Sequence, residues 1–259
     1  MTNSLERALA LLELLEQTPG GLTNAEISRQ LKFATSTCSY ITSRLERKGY
    51  LRRDEGMRHF QIGLKTVALA HGALRELGIR SMAEPVLYRL ASVTGLSAGI
   101  GMLQQGHVLL IDRVESPGFI REVVRHPPRG RTREQRDIGR ELPVHATALG
   151  KALLAHLPPL ELAEFLRNVV LARSTPKTIS SKAKLIAELE MIRQRGYATA
   201  DEEQYLGVRA LSVPIFDSAR RVRTAVSLNG SVREPAWRDE RALVELMQEA
   251  AHDISRQSG

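Results

Sequence analysis

The sequence predicts an α+β architecture in two parts, a small N-terminal winged helix-turn-helix and a larger domain with helices outside a mostly antiparallel sheet. Three observations predict it. Three short helical patterns run directly into a basic hairpin within the first 63 residues. Beyond Leu90 the apolar period changes from that of a helix to two. Helical signals then return, and a second strand pair precedes a closing helix.

Leu5, Ala8, Leu9, Leu12 and Leu15 recur at helical spacing behind Ser4 as N-cap, and Pro19-Gly20-Gly21 ends that helix. Thr23 and Glu26 have capping-box spacing and open a second helix whose apolar face is Ile27 and Leu31. A short connection, 32–35, leads to a third helix over about 36–48, with Cys38, Ile41 and Leu45 as its buried stripe and Gly49 at its end. Tyr50-Leu51-Arg52-Arg53, the turn Asp54-Glu55-Gly56 and His59-Phe60-Gln61-Ile62 read as a two-stranded hairpin. From Gly63 to Gly78 a linker helix carries Leu64, Val67, His71, Leu74 and Leu77 on one seam. Ser81 and Glu84 form another capping-box pair, with Pro85 in the first turn of a helix that runs through Leu90.

Residues 97–103 and 108–114 flank Gln104-Gln105-Gly106 as a hairpin, and 120–125 adds a further strand. Helices are expected at 147–156, 159–167 and 181–195, the last ended by Gly196. Strands at 208–216 and 222–228 surround the turn 217–221, and 239–255 closes the chain as a helix. The resulting boundaries are 1–63 for the winged helix, 64–78 for the linker helix and 79–259 for the second domain.

Composition narrows the function. The 259 residues are 42% hydrophobic and 25% charged, which fits a folded soluble chain and neither disorder nor a collagen repeat. The charge-free run from 90 to 111 is long enough for a bilayer, but Gly95, Gly99, Gly101 and the polar break Gln104-Gln105-Gly106-His107 divide it into short elements. The start, Met1-Thr2-Asn3-Ser4-Leu5-Glu6, has neither a basic leader nor a cleavable apolar core, and a single cysteine rules out an internal disulfide framework; both point to the cytoplasm. The net charge of +8 makes a polyanionic partner worth seeking. It is concentrated: eight basic residues face three acidic ones between 29 and 58, and seven arginines lie between 121 and 140, where Pro127-Pro128 and Gly130 predict a solvated loop.

A small apolar core that fixes the third helix lets its outward residues enter the major groove of double-stranded DNA, while hairpin arginines meet phosphates. The candidates are Thr35 and Ser36 at the helix start, then Thr37, Ser39, Tyr40, Ser43, Arg44 and Arg47 off the buried stripe, with Arg52, Arg53 and Arg58 on the hairpin. A single winged helix reads a short half-site, so pairing of two copies through the Leu64/Val67/His71/Leu74 seam and the first helix is expected.

The order and spacing of several strings carry a family resemblance. They are Ser4-Leu5-Glu6-Arg7-Ala8-Leu9, Ser36-Thr37 leading to Gly49-Tyr50-Leu51, Phe60-Gln61-Ile62-Gly63-Leu64, His145-Ala146-Thr147-Ala148-Leu149-Gly150-Lys151-Ala152, Arg195-Gly196-Tyr197, Asp201-Glu202-Glu203, Gly207-Val208 and Val213-Pro214-Ile215-Phe216-Asp217. Over nearly its whole length the chain resembles the isocitrate lyase regulator (IclR) family of bacterial transcription factors. The resemblance implies a winged helix, a linker helix, a GAF-like effector-binding domain, and homodimers that often pair into tetramers. It assigns Ala148, Leu149, Gly150, Val208, Ala210, Ser227 and Asn229 to the effector pocket. Asp201 joins them as a gating or solvated carboxylate.

Free amides at the first turn of the helix near Thr147 favour an anion, and the small residues Ala146, Ala148 and Gly150 permit close approach, so a small organic acid is the expected effector. The chain departs from the family at Ala34-Thr35, where Pro-Lys is frequent, at Ala210 for a frequent Cys, at Asn229 for a Ser, and at Arg220 or Arg221 for a turn Gly. An aromatic or sugar acid is therefore at least as well suited as glyoxylate or pyruvate.

One motif supports a different reading. Gly95-Leu96-Ser97-Ala98-Gly99 matches G-x-S-x-G, with Asp217 and His252 following in order, which makes a serine hydrolase using Ser97 the alternative. A nucleophile elbow has a strand before its serine and a helix after it, the reverse of the order expected here. Cys38 sits on an apolar stripe and reads as a packing residue. Seven scattered histidines without metal-ligand spacing give no metal site, and no cofactor is expected.

Overall fold

A computed structural model of the chain describes residues 3–54, 56, 58–116 and 138–257, and divides it into two compact units, residues 1–77 and 78–259. The expected strand at 120–125, the arginines from 121 to 136 and Glu55 lie outside the described residues, as do the side chains of Leu74 and Leu77.

In the first unit α1 (Ser4–Glu16), α2 (Asn24–Leu31) and α3 (Thr35–Arg47) surround a core of Leu11, Leu15, Leu22, Ile27, Cys38, Ile41, Leu51 and Phe60. Asn3, rather than the expected Ser4, caps α1: its side chain accepts from the Glu6 amide while the Glu6 carboxylate accepts from the Asn3 amide. Thr23 and Glu26 form the anticipated box, and these bonds hold the Glu26 carboxyl below its usual range. Strand β1 (Leu51–Arg53) pairs antiparallel with β2 (Phe60–Ile62), Leu51 opposite Ile62. Gly63 packs so tightly that a Cβ there would lie 2.2 Å from the Gly49 carbonyl oxygen. Helix α4 (Lys65–Leu77) follows.

In the second unit α5 (Ile79–Thr94) starts two residues before Ser81. Gly78 occupies its N-cap in the left-handed region, and the Ser81 hydroxyl donates to the Gly78 carbonyl instead of capping. Pro85 therefore lies inside the helix and not in its first turn, a correction to the capping-box reading.

Among the described residues six antiparallel strands follow: β3 (Ser97–Gln104), β4 (His107–Val114), β5 (Glu141–Leu142), β6 (Ala198–Asp201), β7 (Val208–Phe216) and β8 (Val222–Ser231), in spatial order β5-β4-β3-β8-β7-β6. The unit also holds helices α6 (Ala148–Leu154), α7 (Pro159–Asn168), α8 (Lys182–Arg195) and α9 (Glu240–Gln257). Val108, Leu110, Ala198 and Ala225 form one cluster with residues of α6 and α8, so these strand positions face α6. Strand residues of the other parity, such as Val213, Val226 and Leu228, are buried too, and α5 and α9 pack on each other and on the sheet. No helix among the described residues is long and apolar enough to cross a membrane.

Candidate functional site

Two groups of residues stand out, one in each unit. On α3 the side chains of Thr35, Ser36, Tyr40, Ser43, Arg44 and Arg47 are exposed, whereas Thr37 and Ser39 are half-buried. For Ser39 the reason is an unforeseen polar lock. The Thr42 hydroxyl donates to the Asn24 Oδ1 at 3.0 Å, tying α2 to α3 and drawing Ser39 to within 3.4 Å of Asn24. Arg44 stacks over Tyr40 at 5.2 Å, which pre-sets the tip of the exposed face. On the hairpin Arg52, Arg53 and Arg58 are exposed, and Arg53 lies over the Phe60 ring at 5.5 Å. Cys38 is fully buried, and burial pushes its thiol up, away from the thiolate that redox chemistry needs.

In the second unit a cavity of about 750 Å³, counting its open mouth, lies between the sheet and α6. Six of the expected effector residues line it: Ala148, Leu149, Val208, Ala210, Ser227 and Asn229. Register explains why they meet, since Ala210 on β7 is opposite both Ala200 on β6 and Asn229 on β8. Two expected residues are not in the wall. Asp201 follows Ala200 on β6, and the two-residue alternation turns it away; it is exposed, 3.8 Å from Lys177. Gly150 has a packing role instead, because a Cβ there would stand 2.2 Å from the Val144 carbonyl oxygen.

The anion argument also changes. Thr147 caps the seven-residue α6 with its own hydroxyl, which accepts the Gly150 amide, so this first turn is partly satisfied from within. Positive charge enters the wall through Arg113 and Arg140. Arg113 donates to the Asn229 Oδ1 at 2.8 Å and pairs with Glu115 at 2.6 Å, while Arg140 donates to the Tyr205 hydroxyl at 2.7 Å.

Arg140, Gln204 and Tyr205 are wall residues that sequence reasoning missed. By sequence Arg140 is the end of a solvated loop, whereas its partner lies 65 positions away. Leu110, Leu142, Ala146 and Ala200 supply apolar wall.

Ser97, the alternative's nucleophile, is fully buried, and its Oγ accepts the Ser116 amide. It begins a strand just after the C-cap Gly95 of a helix, opposite to a nucleophile elbow. In the β7–β8 turn the Asp217 carboxylate accepts the Arg221 backbone amide and also pairs with the Arg221 side chain, which keeps its carboxyl below the usual range. No cluster of metal-ligating side chains occurs among the described residues.

Two family models match the chain: the IclR helix-turn-helix domain over residues 4–55, and the bacterial transcriptional regulator IclR C-terminal domain over 71–256. The HTH-type transcriptional regulator BhcR of Paracoccus denitrificans is 34% identical over 254 residues, covering 97% of this chain and 86% of that protein. Thermotoga maritima IclR aligns with a TM-score of 0.75 at 29% identity over 99% of each chain. An IclR homolog from Microbacterium hydrocarbonoxydans, crystallised in complex with 4-hydroxybenzoate, shares the fold, with a TM-score of 0.80 at 23% identity over 98% of each chain.

Proposed function

Because this chain belongs to the IclR family of bacterial transcriptional regulators, we propose that it binds operator DNA through α3 and the hairpin and responds to a small organic acid held in the C-terminal cavity. The observation that carries the ligand reading is a largely apolar chamber into which two arginines and the polar groups of Ser227, Asn229, Gln204 and Tyr205 project. A guanidinium recognises a carboxylate through two parallel hydrogen bonds, and the apolar walls suit a hydrocarbon body. An aromatic monoacid has that chemistry, and 4-hydroxybenzoate in the Microbacterium homolog is one example. The serine hydrolase alternative has no support, for the matched relatives are regulators. The protein acts in the cytoplasm with the DNA it reads.

The test is a thermal-shift panel of aliphatic, aromatic and sugar acids together with their amides. A ligand that binds only the folded state at one hundred times its Kd adds about 2.7 kcal/mol of apparent stability. At least one acid is expected to raise the midpoint while its amide does not. A panel without any shift sinks the acid-sensing reading.

Operator contact is assigned to Tyr40, Ser43 and Arg44 at base edges, with Thr35, Ser36, Thr37, Ser39 and Arg47 flanking them and Arg52, Arg53 and Arg58 at phosphates. Arg52→Ala is the clean test of the wing, since Arg53 also stacks on Phe60. It is expected to weaken operator and random DNA alike and to reduce the slope of log affinity against log salt by about one. An unchanged slope removes Arg52 from the interface. Leu5 and Leu9 on α1, with Leu64 and Val67 at the start of the linker helix, are well exposed apolar residues. They fit pairing of two copies into a homodimer, the assembly that a palindromic operator requires.

A further inference from the structure

We propose that the buried Lys151–Glu203 ion pair is a positioning element that fixes the separation of two cavity walls and so selects the acid that fits. This rests on the reading of the cavity as an acid site. Lys151 is 1% exposed, and its Nζ lies 2.6 Å from the Glu203 Oε1. It stands on α6, whose first residues, Ala148 and Leu149, form one wall. Glu203 immediately precedes Gln204 and Tyr205, which form another. One contact therefore joins both walls.

Stability does not account for the pair. Its second oxygen, Oε2, is buried without a hydrogen-bond partner among the described residues, and an incompletely satisfied buried ion pair is often no better than apolar side chains of the same volume. What charge adds over apolar packing is a single geometry. The rest of the turn is fixed in the same sense. The Thr175 hydroxyl donates to the Glu202 carbonyl at 2.7 Å, and the Thr178 hydroxyl donates to the Glu203 carbonyl at 2.6 Å. The Glu202 carboxylate accepts the Gly207 amide at 2.7 Å and pairs with Lys177. Glu202 itself has φ 57°, a left-handed conformation that a non-glycine residue keeps only where its surroundings impose it. Gln204 and Tyr205 inherit their place from this turn. Burial pushes the Glu203 carboxyl up, and the Lys151 charge opposes the shift.

The experiment compares the full chain with Lys151→Met and with the double variant Lys151→Met/Glu203→Met. Three readouts are used: thermal unfolding, amide hydrogen exchange over 202–208, and binding of 4-hydroxybenzoate. Lys151→Met is expected to lower the unfolding midpoint and raise exchange. The double variant is expected to regain the parent midpoint, yet to keep exchange at 204–207 at least tenfold above the parent and to bind 4-hydroxybenzoate at least tenfold more weakly.

A double variant with parent exchange and parent affinity overturns the proposal, because the pair then only fills space. If the parent itself does not bind 4-hydroxybenzoate, the choice of an aromatic acid fails and exchange alone decides the positioning role. Should the double variant not fold, Glu203→Gln, which keeps shape and removes charge, takes its place. Raised exchange at 202–208 with parent-like exchange across α8 supports the proposal, and unchanged exchange overturns it.

Discussion

Gly150→Ala is expected to destabilise the C-terminal unit by at least about 3 kcal/mol, the upper end for an overpacked interior, and to lower its unfolding midpoint by about 6–12 °C. An added Cβ would stand 2.2 Å from the Val144 carbonyl oxygen and 2.3 Å from the Val144 Cα. Both are backbone atoms and cannot swing aside. Val144 belongs to the cluster that holds α6 against the sheet, so any shift spreads to Leu149, Ala152 and Leu153. Gly20→Ala is the control, since nothing lies within 4 Å of its added carbon. Scanning calorimetry that resolves the two units checks the result. A loss below about 1 kcal/mol for Gly150→Ala, within the range of ordinary substitutions, would show that α6 can move away from Val144.

The same glycine marks what the sequence could and could not disclose. Apolar period and capping chemistry act between neighbours, and these made α2, the hairpin of β1 with β2, and the pairings of β3 with β4 and of β7 with β8 legible. Errors arose where competing local signals sat one or two residues apart. Asn3 and Ser4 are both good caps, and Asn3 won because Glu6 completes the box only with it. Ser81 looked like a cap, but Gly78 can enter the left-handed region and begins α5 earlier. Strand β6, Ala-Thr-Ala-Asp separated from Gly196 only by Tyr197, is too short and too weak in strand preference to announce itself, and its pairing with β7 creates it.

In the cavity, the resemblance groups Ser227 and Asn229 with Val208 and Ala210, and strand alternation and register bring all four to one wall. Arg140 and Tyr205 enter through tertiary closure, which no local pattern encodes. Lys151 is the sharpest case. A lysine in a short helix ordinarily reads as surface, and only the fold shows that α6 is buried on all sides, so that its charge must find Glu203.

Ala210→Phe is expected to abolish the acid response while the chain stays folded. Ala210 lies between two other wall residues, Ala200 on β6 and Asn229 on β8, so a larger side chain enters space that the ligand would occupy. Filling an existing cavity costs far less than overpacking a closed core, and the unfolding midpoint is expected to remain near that of the parent.

The lost quantity is the ligand's contribution. At one hundred times Kd this is about 2.7 kcal/mol, which for a unit of this size corresponds to roughly 5–11 °C of thermal shift. DNA binding without acid is expected to persist, because the DNA-binding unit has its own core around Leu11, Ile27 and Phe60. Coupling is reciprocal, so an acid that changes operator affinity by some factor must have its own affinity changed by operator DNA by that same factor. In Ala210→Phe both factors are expected to fall to one. Titrating the parent and the variant with acid, with and without operator DNA, measures all four affinities. A variant that keeps the parent's shift at the parent's acid concentration would put the effector elsewhere than between β7, β8 and α6.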